Sequence, residues 1–245
     1  MQVDLNADMG EGAGADAALC DVVTSANICC GLHAGGPLEM ARVMRLAAAK
    51  GVGLGAHPGF DDRANFGRTR MPLRLPEITD LIAFQTGAAQ AVAQANGLKL
   101  RHFKLHGALA NMASEDADLA QACYAAARAV VPDLRIMVLA ATAQEQAAKA
   151  LNAAWAGEIF ADRAYNDDAT LRDRSLPGAV LHDAETAASR ILAMLRAGAI
   201  LSENGHRIPA RIDTICLHGD TPEALALAQA LRNRLAAAGV TLAKF

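Results

Sequence analysis

Residues 211–231 read RIDTICLHGDTPEALALAQAL, and this stretch decides the fold. Its first part, 212–217, is a β-branched, apolar run of strand length. Its last part, from 222 to 238, is Ala/Leu-rich and has the length of a helix. Thr221, Pro222 and Glu223 supply an N-cap, a proline at the first helical position and an acidic first turn. Between the two lie His218, Gly219 and Asp220, which neither element needs in order to fold. The unit is strand, polar loop, helix. Similar punctuation recurs in KLHGA around His106, GLHAGG around His33 and GAHPGF around His57. Four of the seven histidines thus stand where a strand ends, each near a glycine.

Working outward, strands are expected at 2–6, 25–30, 52–56, 102–106, 135–140, 157–161 and 212–217. Helices are expected at 15–24, 37–50, 76–96, 115–130, 142–154, 184–198 and 222–238. Pro37 with Glu39 opens the second helix, and Ser114 before Glu115 and Asp116 reads as the N-cap of the fourth. Gly51, Gly97 and Gly239 stand where helices end and a left-handed residue is wanted. Strict alternation of strand and helix predicts a parallel sheet covered by helices. Seven such units without a dinucleotide fingerprint favour a seven-stranded parallel β/α barrel, TIM-like, in a single domain over residues 1–245.

Composition narrows the function classes. The chain has 245 residues, 53% of them hydrophobic, enough to bury a core without disulfide staples. A net charge of −3 gives no electrostatic case for nucleic acid or an anionic membrane as partner. Cys20, Cys29, Cys30, Cys123 and Cys216 form no C-x-x-C pair and read as reduced thiols of a cytoplasmic protein. The opening MQVDLNADMGEG lacks the basic-then-apolar run of a signal peptide. No apolar run approaches the roughly 20 residues that span a bilayer.

In such a barrel the carboxyl ends of all strands share one rim, where catalytic groups gather. Asn6, Asp8 and Glu11 follow the first strand. Asn27 lies in the second, with His33 just beyond it, and His57 ends the third. Lys104 and His106 share a face of the fourth. Glu158, Asp162 and Arg163 bracket the end of the sixth, and His218 and Asp220 follow the seventh. Lys104 sits in an apolar strand and requires a partner, Asp8 or Glu158. Two long polar connections, 58–75 with Arg63, Arg68, Arg70 and Arg74, and 162–178, belong on the same rim. Carboxylates and imidazoles together supply acid–base groups or metal ligands. The arginines and Lys104 supply anchors for a carboxylate or phosphate. No Walker loop is present to hold a nucleotide.

Six motifs occur in an order that resembles the LamB/YcsF family: DLNADMGEG, SANICCGLHAGGP, GAHPGFDDRANFGR, FKLHGALAN, EIFADRAYNDDATLRDRS and ICLHGDTPEAL. The resemblance spans residues 3 to about 238. It implies a β/α barrel related to the polysaccharide deacetylases. It also implies ATP as co-substrate in opening 5-oxo-L-proline to L-glutamate, alongside 5-oxoprolinase subunits B and C. The chain departs from the family pattern at Gly36, where aspartate is usual, at Leu105 and Ala110, for proline and tyrosine, and at Ala169, for glycine.

On that reading the catalytic set is Asp8, Glu11, Lys104, His106 and His218. Asp8 or Glu11 would activate water, and His106 or His218 would protonate the lactam nitrogen. Asn6, Asn27, His33, His57, Arg68, Arg163 and Asp220 form the substrate-binding set. Three rivals stay open. One is a metal-dependent hydrolase of deacetylase type, with Asp8, His33 and His57 as ligands to a divalent metal. Another is a Schiff base on Lys104, and the third is a non-catalytic scaffold role in a larger enzyme.

Overall fold

A computed structural model of the chain describes residues 1–218 and 224–245. Along it run β1 (Gln2–Met9), α1 (Asp16–Leu19), β2 (Ser25–Cys29), α2 (Pro37–Ala49), β3 (Gly53–His57), α3 (Leu75–Ala95) and β4 (His102–Phe103). There follow α4 (Gly107–Glu115), α5 (Ala117–Val130), β5 (Arg135–Leu139), α6 (Ala143–Ala150), β6 (Trp155–Phe160) and α7 (Ala184–Ala197). Last come β7 (Ala199–Leu201), β8 (Arg207–Pro209), β9 (Thr214–Leu217), α8 (Ala224–Ala237) and β10 (Thr241–Leu242). β1 to β6 pair in parallel in sequence order, β6 pairs with β9, and β9 pairs back onto β1. The sheet therefore closes into a seven-stranded, all-parallel barrel wrapped by helices, as expected.

The interior is not the usual stack of branched aliphatic layers. In β1 the outward set Val3, Leu5, Ala7 and Met9 packs into the hydrophobic core, while Asp4, Asn6 and Asp8 alternate with it and point into the barrel. Low in the barrel, Asp4 accepts hydrogen bonds from Thr24, Ser25 and Thr214 at 2.6, 2.7 and 2.6 Å. One level up, Asn6 donates to Glu158 at 3.0 Å and Thr214 at 2.7 Å, and Asn27 donates to Asn6 at 2.7 Å. His102 donates to Asn27 Oδ1 at 2.8 Å. A satisfied polar column thus replaces apolar filling and fixes the side chains above it.

Several elements differ from the sequence reading. The first strand runs on to Met9, so Asn6 and Asp8 lie within it rather than after it. The first helix is four residues long, because Thr24 must turn inward to bond Asp4 and Leu5. The fourth strand is two residues, and His106 is already the N-cap residue of α4, a helix the sequence reading does not contain. Asp116, not Ser114, caps α5, accepting from the amides of Asp118 and Leu119 at 2.9 and 3.1 Å. The β7–β8 hairpin and β10 are also absent from that reading, being too short to show a period. The N-cap expected at Thr221–Glu223 lies outside the described residues.

Both long connections fall on the carboxyl rim. The first turns through Arg63–Asn65 and brings Phe66 against the rings of His33 and His106. In the second, Arg163 donates to the carbonyls of Ala179 and Arg172, pinning the loop to itself.

Candidate active site at the carboxyl mouth of the barrel

A cavity of about 630 Å³ opens at this rim. Asp8, His57, Lys104 and His106 reach it from β1, β3 and the segment after β4, and Arg68, Arg163, Arg174 and His218 line it from the loops. Asn6 and Asn27 do not line it. They lie beneath and orient what does, since Asn27 donates to Asp8 Oδ1 at 2.8 Å. Asp220 lies outside the described residues.

Lys104 is almost wholly buried, with its Nζ 3.0 Å from Asp8 Oδ1, 3.0 Å from Glu158 Oε1 and 2.9 Å from Cys216 Sγ. Burial alone would favour the neutral amine. The carboxylates outweigh it and hold the ammonium well above its ordinary pKa. Asp8 responds in kind: burial opposes its charge, but His57 and Lys104 hold its carboxyl well below the usual range. Glu158 is pushed up by burial, which Lys104 only partly offsets. An ammonium held between two carboxylates in this way suits electrostatic anchoring.

Two groups of side chains flank Lys104. On one side, His218 donates from Nδ1 to Asp162 at 2.7 Å and accepts at Nε2 from Arg174 at 3.0 Å. A guanidinium can only donate, so the tautomer is fixed. Asp162 is held below its ordinary pKa, burial being outweighed by His218. On the other side gather Glu11, His33, His57 and His106. The rings of His33 and His106 stack at 3.7 Å, and His33 Nε2 lies 3.1 Å from Glu11 Oε1. His57 Nδ1 donates to the carbonyl of Lys104 at 2.9 Å, and His106 Nε2 to that of Phe66 at 2.8 Å. Two sets of donor atoms close enough for a metal ion result, Asp8–His57–His106 and Glu11–His33–His106. The expected ligands Asp8 and His57 fall in the first set, and His33 falls in the second.

Sequence reasoning misses Arg174 and Cys216 and uses Asp162 only as a rim marker. Cys216 shares a face with Thr214 on β9, so the period of two could have placed it inward. Nothing local distinguishes Arg174 from the other arginines of its loop.

The fold and this cluster of acids, imidazoles and a buried ammonium define a β/α-barrel protein with a candidate acid–base site at the carboxyl mouth. The chain belongs to the LamB/YcsF family, whose model matches residues 3–245. It is 54% identical to a Ruegeria pomeroyi protein named as the A subunit of 5-oxoprolinase, over 100% of this chain and 98% of that one. A solved lactam utilization protein from Thermus thermophilus superposes with a TM-score of 0.91 at 40% identity, covering 100% of both chains. A family 4 carbohydrate esterase from Streptomyces lividans, 13% identical, matches at a TM-score of 0.50 over 98% of this chain and 91% of that one. That last likeness concerns the fold alone.

Proposed function

We propose that this chain is the lactam-opening component of an ATP-dependent 5-oxoprolinase that works with two further subunits, B and C, in the cytoplasm. The carrying observation is the charged Lys104, flanked on one side by a His218–Asp162 pair and on the other by the Asp8–His57–His106 cluster, around one cavity. The names of the full-length relatives support the substrate and the multi-subunit setting. The five unpaired, buried cysteines accord with a reducing compartment.

A five-membered lactam is a stable amide, so its carbonyl must be activated. Transfer of the ATP γ-phosphoryl to the lactam oxygen makes the carbon electrophilic. Water attacks that carbon, and the carbon–nitrogen bond breaks as the nitrogen takes up a proton. The glutamyl phosphate so formed loses phosphate to a second water, which balances the reaction to glutamate, ADP and phosphate. Asp8, His57 and His106 mark the side from which water attacks, with Glu11 beside them. Lys104 faces the charge that develops on the carbonyl side. His218, its Nδ1–H held by Asp162, takes up a proton at Nε2 as Arg174 turns to the substrate, and passes that proton to the ring nitrogen. Arg68 and Arg174 bind the substrate carboxylate or the phosphoryl group through charge-assisted bonds.

The test is glutamate release from 5-oxoproline and ATP, measured with this chain, with the two partner subunits, and with all three. Turnover is expected only from the complete set. Equal turnover by the partners without this chain would show it to be a scaffold and overturn the reading.

A further inference from the structure

His57 Nε2 and His106 Nδ1 lie 3.0 Å apart, and as neutral rings neither has a proton to offer the other. Each ring already spends its N–H on a backbone carbonyl, His57 on Lys104 and His106 on Phe66. A carbonyl oxygen can only accept, so the neutral rings must carry their protons on those outer nitrogens. Two bare lone pairs therefore face each other. Asp8 Oδ2 joins them, 3.4 Å from His57 Nε2, and Glu11 Oε1 stands 3.5 Å from His106 Nδ1. The four atoms are all acceptors. The nearest ammonium, Lys104, serves Asp8 through its other oxygen, Oδ1, which also accepts from Asn27. That leaves Oδ2 aimed at the two imidazoles.

We propose that Asp8 Oδ2, His57 Nε2 and His106 Nδ1 bind one divalent transition-metal ion on the cavity floor, with Glu11 as an adjoining donor held by His33. A metal cation relieves such an assembly of converging acceptors, and the outer bonds are those that ligating histidines make: the second nitrogen fixed on a carbonyl, the carboxylate clamped by neighbours. Two imidazoles and a carboxylate suit zinc, cobalt or manganese better than magnesium or calcium. The three ligands come from β1, the end of β3 and the residue capping α4, so the barrel itself sets their spacing. All three line the cavity, so an ion held by them would be open to a bound substrate. An ion bound there supplies Lewis-acid polarisation of a carbonyl, a use that rests on the lactam reading, whereas the site itself does not.

The experiment uses the whole chain, stripped with chelator and dialysed against zinc and, separately, cobalt at micromolar concentration. Metal per chain is read by mass spectrometry, and the cobalt form by its visible absorption. Wild type should retain close to one equivalent, with a cobalt band typical of mixed nitrogen and oxygen ligands. His57→Gln, His106→Gln and Asp8→Asn should each weaken retention at least 100-fold, with far-ultraviolet circular dichroism confirming that they fold. His206→Ala, which removes an exposed histidine away from the cavity, should bind like wild type. The proposal is overturned if wild type retains no more metal than buffer, or if the folded triple variant retains as much as wild type. It is also overturned if nitrogen-15 spectra at pH 8 show His57 or His106 doubly protonated in metal-saturating buffer, since a proton would then fill the gap. One equivalent of metal in a protein that never supports glutamate release would leave this site standing and sink only the lactam reading.

Discussion

Lys104 binds the site's two interior carboxylates into one unit, and its removal should show in stability and turnover separately. Lys104→Met leaves Asp8 and Glu158 buried without their counter-charge. Breaking such a pair costs about 3–5 kcal/mol. Adding Glu158→Gln should restore part of that stability in urea unfolding, while turnover in the reconstituted assembly stays down by about 10²-fold or more. Recovery of turnover with stability would mean that Lys104 only holds the barrel together. His102, deeper in, gives a pH test. Burial, with the nearby charge of Lys104, lowers its pKa to about 3. The unfolded chain protonates this ring near pH 6.5, the folded one does not, so stability falls as pH drops below about 6.5. The contribution is up to about 1.4 kcal/mol per pH unit. Unfolding of wild type and His102→Gln between pH 7 and 4.5 should show a shallower slope in the variant, and identical slopes would refute the assignment. The rim histidines were legible because His33, His57, His106 and His218 each interrupt a strand-to-helix passage. His102 was not, because a residue inside a strand gives no sign of which face it takes until the register is known.

At the level of elements, Gly55 and His102 are register partners on β3 and β4. A methyl group at position 55 would lie 2.1 Å from the His102 ring, whose Nε2 is fixed on Asn27. Gly55→Ala is therefore expected to destabilise by about 1–3 kcal/mol or more through overpacking, read as a lowered urea midpoint. No change in the midpoint would show that the ring can move aside. Helix ends were legible where one residue type suffices: Gly51, Gly97 and Gly239 all have positive φ, as their positions predicted. The short β4 and the α4 that follows were not. HFKLHGALA contains no turn residue other than Gly107, so the apolar pattern ran strand and helix together. Gly36 shows how a departure from the family pattern can be structurally mild. It caps α2 in extended conformation with open space around its Cβ position, so an aspartate there would fit.

For the whole molecule, alternation of strands and helices pointed to the parallel sheet, and the absence of a dinucleotide loop favoured closure. Closure itself is a long-range fact, the pairing of Asp4 to Ala7 with Thr214 to Leu217, which no local pattern encodes. The polar interior was legible in part. A parallel strand covered on both faces should read as a continuous apolar run. DLNAD and SANIC break that rule at every second residue, which marks one face as hydrogen-bonded. The pairing of Asp162, His218 and Arg174 depends on two loops meeting across the mouth and had no sequence signal. The central claim is that these distant groups act on one small ring at that mouth. Crystals of this chain soaked with 5-oxo-L-proline test it most directly. The account predicts the ring in the cavity, its carbonyl oxygen about 3 Å from Lys104 Nζ and its nitrogen turned to His218. A ring bound elsewhere on the molecule, or in the cavity with its carbonyl turned away from Lys104, would contradict it.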